Sequence, residues 1–385
     1  MPVHFMYDYL NGGVKYLSPP VLNLNSYMKF KCYYTDFSDE GQVRRSDNAI
    51  ELSPLKAGFP WPSGILSCRQ TKHHDIVMKT TRMLLKEYVN DKTAQEICRA
   101  ERSIADIARG ELATDLEHSW VRFVIHGFSE GDRQRTKLLA NINVHTIVLD
   151  DFWEMNNIEA FNTILEHYVD RMRPDLKERK PPMSALQADI DQTVDEILEL
   201  DRISGNTAGK ELLDDVVNFF SRPAPPMTYR NMEEYMQYRH EDIAILYIIK
   251  CCKFSSNSSV DTNGPNMARY LRLFKDHVLL VNDLASWEKE KRAYDKGKVQ
   301  YITNAVNVVY ELFHLQTYRA AVGMTQALVL ELETEIDAEI DRMIAENILT
   351  KEEWRFVDTT LNTLSGNVFC SMVMERYGGA KSRLP

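Results

Sequence analysis

The chain has no run of 18 or more apolar residues. Its greasiest stretch, DIAILYIIKCC at 242–252, is short enough to be a buried helix, so nothing is expected to span a bilayer. The start, MPVHFMYDYLNGG, lacks a basic segment followed by an apolar core, and no secretory signal is expected. Basic residues are not in excess: the net charge of −10 argues against nucleic acid or an anionic membrane as partner. It suits a site that gathers divalent cations. The six cysteines show no CxxC or His/Cys ligand spacing and read as reduced, mostly buried thiols of a cytoplasmic protein. There is no HExxH zinc motif, no GxxxxGK[ST] or GxGxxG nucleotide loop and no GxSxG nucleophile elbow. Long Gly/Ser or Pro linkers, internal repeats and low-complexity tracts are missing too.

Strand signals are sparse, and helical periodicity fills the space. Apolar residues recur at steps of three and four over 73–89, 134–155, 231–252, 267–292, 306–332 and 351–377. Asn231, with Glu234 three residues on and RPAPP before it, predicts a capped helix start. Loops fall at FPWPSG (59–64), ERKPP (178–182), RISGNTAGK (202–210), SRPAPP (221–226) and SSNSSVDTNGPN (255–266). Trp61, in the first of these, reads as a loop anchor or as part of a closure over a site. The expectation is one all-α domain, residues 73–385, with an irregular N-terminal extension, residues 1–72, packed on it. Two domains divided near 180–226 are the alternative.

Two acidic clusters carry the chemistry. In VNDLASWEKE (281–290), Asn282, Ser286 and Glu290 stand four residues apart, which stacks three oxygen-bearing side chains within an arc of roughly 80°. In VLDDFWEM (148–155), Asp150 and Glu154 share a face at the end of an apolar helix, while Asp151 is rotated by about a further 100°. Behind them on that face lie Ile147, Asn143 and Leu139. Unpaired carboxylates near a core are costly, and a bound cation offsets that cost. Hard cations such as Mg²⁺ take oxygen ligands and keep places for phosphate oxygens. Arg239, Lys289, Arg376 and Tyr377 add groups suited to phosphate. Together these residues describe a receptor for a diphosphate. A further Asp pair, in LLDDVVNF (212–219), has no such partners and reads as a solvated helix face.

The pair DDFWE and NDLASWEKE, 132 residues apart, resembles the two metal motifs of class I terpene cyclases. Arg239, 43 residues before Asn282, matches the family's diphosphate-sensing arginine, and GNVFCSMVMERY (366–377) resembles its C-terminal signature. The likeness runs over roughly residues 75–380 in motif order and spacing and is strongest to fungal single-domain enzymes. With average residue usage, NDxxSxxxE alone arises by chance in roughly one chain in a few hundred. All four motifs in order are far more specific. The sequence departs from the pattern at Glu154, where Asp is usual, and at Cys370, where the family often has a cation-facing tryptophan beside Phe369. After Arg239 the family tends to break its helix at a small residue, and Asp242 and Ile243 make that break less evident.

The resemblance implies an α-helical bundle of the class I terpene synthase type, with the active-site cavity at its centre. It implies three Mg²⁺ ions on Asp150, Asp151, Glu154, Asn282, Ser286 and Glu290. Arg239, Lys289, Arg376 and Tyr377 would hold the diphosphate of an all-trans prenyl substrate, and Phe369 would face the carbocation. Farnesyl diphosphate is favoured and geranylgeranyl diphosphate is close behind; a homodimer is the default assembly. The alternatives are a chain-elongating trans-prenyltransferase, which would carry a second aspartate-rich motif in place of NDLASWEKE, or a non-catalytic helical scaffold with a degenerate site.

Overall fold

The computed structural model describes residues 47–52, 54, 61–65, 68–99, 102–153, 162–226, 228–297, 299, 301–374 and 377. Helices dominate. Helix α1 (His74–Asn90) buries Val77, Thr80, Thr81, Leu84, Leu85 and Tyr88, the three-and-four step of an amphipathic helix. It packs on α2 (Lys92–Glu96), on α3 (Ile104–Leu112), on α4 (Val121–Gly127) and on α5 (Arg133–Trp153). Ser103 and Asp106 close a reciprocal capping box at the start of α3. Next come α6 (Ala185–Ser204) and α7 (Ala208–Phe219). Gly205 ends α6 with a left-handed φ of 67°, the conformation that favours glycine.

The predicted helix over 231–252 is two helices, α8 (Met232–Asp242) and α9 (Ile245–Ser255). Asn231 caps α8 as expected, accepting from the Glu234 N–H at 2.8 Å. Between the two, Ala244 takes a left-handed φ of 57°. The break is therefore present, at a small residue. Alanine is a strong helix former, which is why the sequence conceals it. Helix α10 (Ala268–Asp295) carries NDLASWEKE. The predicted 306–332 helix also divides, into α11 (Ala305–Leu312) and α12 (Tyr318–Glu346). Helix α13 (Lys351–Val373) buries nearly every residue from Phe356 to Val373 and is the bundle's central rod. At Gly366 an added Cβ would lie 2.4 Å from the His126 carbonyl oxygen, so glycine permits α13 and α4 to approach.

Helix α5, before 180–226, contacts α9, after it, and α6 and α7, within that span, contact α5 and α9 respectively, all in one core. Strands are few. β1 (Ala49–Leu52) pairs antiparallel with β2 (Cys68–Thr71), and β3 (Cys98–Arg99) with β4 (Arg102–Ser103). The described part of the N-terminal segment is held on the helices by polar clamps. Arg69 meets Glu130 at 2.8 Å and Asp358 of α13 at 2.7 Å. Ser63 Oγ and the Gly64 N–H donate to the Glu333 carboxylate of α12 at 2.6 and 2.8 Å, and His277 of α10 reaches the same group at 3.1 Å. Trp61 is buried, with its indole N–H donating to the Ile65 carbonyl at 2.8 Å: a loop anchor.

Candidate active site

A cavity of about 210 Å³ opens at the middle of the bundle, lined from α4, α5, α7, α8, α9, α10 and α13. Its polar side collects Asp150, Arg239, Asn282, Lys289, Glu290 and Tyr377, residues that lie as much as 227 positions apart in the chain. Its apolar side includes Phe123, Ile147, Phe219, Ile248 and Val278. A few charged and polar groups among apolar ones make the lining expected of a small-molecule site.

Each polar group is held in place by neighbours. Asp150, at the C-terminal end of α5, accepts from Arg222 at 2.5 Å. Arg222 is buried, lies 3.9 Å over the Phe219 ring and also reaches Asp242 at 3.4 Å. Arg239 donates through Nε and an Nη to Asp283 at 3.0 and 2.9 Å, and through its other Nη to Asp242. Burial works against the Arg239 charge, and Asp283 and Asp242 more than offset it, so the guanidinium stays charged. Asp283 is fully buried. It also accepts from the Tyr235 hydroxyl and, at 2.8 Å, from the Ala305 N–H at the start of α11. Burial pushes its carboxyl pKa up, and Arg239, Tyr235 and the Ala305 N–H pull it back. One carboxylate thus joins α8, α10 and α11.

Along α10 the expected stack is present in part. Asn282 Nδ2 donates to the Tyr377 hydroxyl at 3.5 Å. Ser286 is buried and is not among the cavity's lining residues; its Oγ donates to the Asp283 carbonyl at 3.4 Å. The Asn304 amide donates to Ser286 Oγ at 3.4 Å, to Glu290 at 2.9 Å and to the Asp283 carbonyl at 2.8 Å. Asn304 therefore orients two of the three stacked groups. Glu154 and Arg376 lie outside the described residues, as does the side chain of Asp151.

Phe369 is buried with its ring centroid 4.7 Å from that of His126, and it is not among the residues lining the cavity. Cys370 is buried as well, its thiol donating to the Arg122 carbonyl at 3.1 Å and pushed up in pKa by burial. The aromatic lining comes from Phe123, Phe219 and Tyr247 instead. Phe123 and Tyr247 sit in ordinary apolar helix stretches without a motif, so nothing in the sequence separates them from core. Arg222 was hidden inside SRPAPP, which reads as a loop. The two carboxylates of LLDDVVNF differ. Asp214 meets Lys210 at 2.6 Å on the surface, but Asp215 is half-buried and raised in pKa by burial, so the face is only partly solvated.

The donors around the cavity suit a hard divalent cation. Asp150, Asn282 and Glu290 line the cavity and offer oxygen from a carboxylate, an amide and a second carboxylate, with the Ser286 hydroxyl on the same helix as Asn282 and Glu290 but outside the lining. Among the described residues, no three His, Cys, Asp or Glu side chains cluster as a metal site of their own. The set instead joins one carboxylate from α5 with a mixed set from α10. No helix among the described residues is long and apolar enough to cross a membrane.

Comparison with known proteins agrees with this geometry. Residues 141–335 match the family model described as terpene synthase family 2, C-terminal metal binding. Terpene cyclase 6 of Gibberella fujikuroi is 23% identical over 86% of this chain and 86% of its own length. Terpene cyclase aneC of Aspergillus aculeatus is 22% identical over 88% of this chain and 75% of its own. The crystal structure of aristolochene synthase from Penicillium roqueforti superimposes with a TM-score of 0.58 at 14% identity, covering 76% of this chain and 93% of that one. The matched segment contains Asp150, Arg239, Asn282, Ser286, Lys289 and Glu290 and spans half of the chain: this protein belongs to terpene synthase family 2, the metal-binding lyases that carry the all-α class I terpene synthase fold.

Proposed function

We propose that this terpene synthase ionises a linear all-trans prenyl diphosphate with the help of three Mg²⁺ ions and cyclises the carbocation, releasing diphosphate. Farnesyl diphosphate is the favoured substrate, on the base rate for fungal single-domain cyclases, with geranylgeranyl diphosphate second. The observation that carries the reading is the cavity's mixed lining, in which Asp150, Arg239, Asn282, Lys289 and Glu290 share one hollow with aromatic and aliphatic side chains. Residues 73–385 make up the catalytic domain, and residues 1–72 its extension. A cytoplasmic location and a homodimer complete the reading.

Bound Mg²⁺ would act as a Lewis acid that neutralises the departing diphosphate, held by Asp150, Asp151, Glu154, Asn282, Ser286 and Glu290. Arg239, Lys289, Arg376 and Tyr377 donate hydrogen bonds to oxygens on which charge builds as the C–O bond breaks. Because Asp283 and Asp242 already fix the Arg239 fork, little reorganisation is needed at that moment. The prenyl chain lies against Phe123, Phe219, Ile147, Ile248 and Val278, where aromatic faces stabilise positive charge and bulk water is excluded.

The test is product analysis. Purified protein is incubated with geranyl, farnesyl and geranylgeranyl diphosphates, with Mg²⁺ or with EDTA, and hexane extracts are examined by gas chromatography–mass spectrometry. A cyclic C15 or C20 product that disappears with EDTA is expected. Longer linear diphosphates formed with isopentenyl diphosphate would instead make it a chain-elongating prenyltransferase.

A further inference from the structure

The apolar part of the cavity holds two polar groups for which ionisation has no use. Asn143 on α5 is 3% exposed and Tyr247 on α9 is 4% exposed, and both line the cavity. Asn143 Nδ2 has no hydrogen-bond partner within the protein, and the Tyr247 hydroxyl, beside the Cys251 thiol and Thr146, makes no well-formed hydrogen bond to either. Their neighbours are committed elsewhere. Thr146, one turn on from Asn143, stands beside the Tyr247 hydroxyl but donates to the Ile142 carbonyl at 2.9 Å. Asn367 Nδ2, across the cavity on α13, donates to the Val278 carbonyl at 3.1 Å.

Leaving a buried donor unsatisfied costs about 1–3 kcal/mol. A prenyl chain has no atom that could satisfy either group, whereas water can. The cavity volume of about 210 Å³ is ample beside the roughly 30 Å³ that a water occupies, and water is retained where two or more polar partners meet it. Asn143 precedes Asp150 by seven residues, about 10 Å along the helix axis. The pair is therefore remote from the diphosphate end and close to where the far end of a folded chain would lie.

We propose that Asn143 and Tyr247 hold one water against the folded prenyl chain, and that this water captures the last carbocation, so that the product is a terpene alcohol. The inference rests on the cyclase reading above. The Asn143 amide donates to the water oxygen, and a water hydrogen donates to the Tyr247 oxygen, leaving a lone pair for the cation. The water oxygen forms the new C–O bond; the resulting oxonium loses a proton, which ends on the diphosphate anion. Atoms balance as prenyl diphosphate plus water giving alcohol plus protonated diphosphate, with no redox change. Water pinned by two hydrogen bonds at the far end does not meet the first allylic cation, which reconciles capture with exclusion of bulk water.

The experiment is turnover in ¹⁸O-water by the wild type, Tyr247→Phe and Asn143→Leu, with alcohol and hydrocarbon products quantified separately. The wild type is expected to give a cyclic alcohol carrying the label. Each variant is expected to lose about tenfold in alcohol share, the worth of one good hydrogen bond, while consuming substrate at a similar rate. A wild-type product that is hydrocarbon alone, or an alcohol share unchanged in both variants, overturns the proposal and leaves the cyclase reading standing. Absence of any turnover would instead count against the cyclase reading. A crystal structure decides the subsite independently of turnover: lack of ordered water within reach of Asn143 Nδ2 and the Tyr247 hydroxyl overturns it.

Discussion

Asp283 stands one residue after Asn282 and does a different job. Its side chain leaves the ligand face by about 100° and enters the core, where it fixes Arg239, Tyr235 and the first turn of α11. Removing it leaves the buried Arg239 guanidinium with Asp242 alone and takes the acceptor from the buried Tyr235 hydroxyl and Ala305 N–H, so Asp283→Ala is expected to lower unfolding free energy by roughly 3 kcal/mol, read by urea denaturation. Glu290→Gln keeps shape and the contact with Asn304 but removes a charge facing the cavity. It is expected to lower turnover by about 100-fold or more with an unchanged melting temperature. A spacing of four made Asn282, Ser286 and Glu290 legible, because a repeated direction on a helix leaves a repeated interval in the sequence. Asp283 and Asn304 support that face from behind and leave no interval; Arg222 meets Asp150 from a loop, where no period exists.

At the scale of elements, two backbone features position the site and respond oppositely to small substitutions. Ala244 holds the break between α8 and α9 in a left-handed conformation that an alanine adopts at a cost of about 1–2 kcal/mol. Ala244→Gly is expected to be neutral or to stabilise by up to about 1 kcal/mol in denaturant titrations, and any β-branched residue there to destabilise. Gly366 is the reverse case: a methyl group would collide with the His126 backbone. Gly366→Ala is expected to cost about 1–3 kcal/mol or more as α13 is pushed from α4. The long amphipathic helix α1 was legible because burial of one face imposes a period on the residues. The break at Ala244 was not, since good helix formers flank it and tertiary contacts impose the left-handed residue. The short strands β1 to β4 were not either: four-residue and two-residue ladders are too brief to establish an alternation.

The whole molecule carries buried titratable groups that set its response to acid. His126 and His145 are fully buried, and burial lowers each pKa to about 3. Unfolding exposes them to a pKa near 6.5, so the unfolded state binds more protons between these values. Their contribution is fully present above pH 6.5 and is lost progressively as pH falls toward 3, by about 2 kcal/mol for each at pH 5. Glu87 acts in the opposite sense: burial and Asp189 raise it to about 7, so its folded form loses stability as pH rises from about 4.5 to 7. Thermal unfolding across pH 5–8 is expected to show a net loss on the acid side, with His145→Gln flattening the slope and Glu87→Gln raising the melting temperature at pH 8.

If the polar residues of the cavity form a metal-dependent diphosphate receptor, metal and diphosphate stabilise the fold cooperatively. Thermal unfolding tests it directly, with Mg²⁺ alone, inorganic diphosphate alone, both together, and both with the Asn282→Ala variant. The pair is expected to raise the melting temperature by more than the sum of the two separate effects, and the variant to lose that excess. An equal shift from diphosphate without metal, or no shift with both, would contradict it.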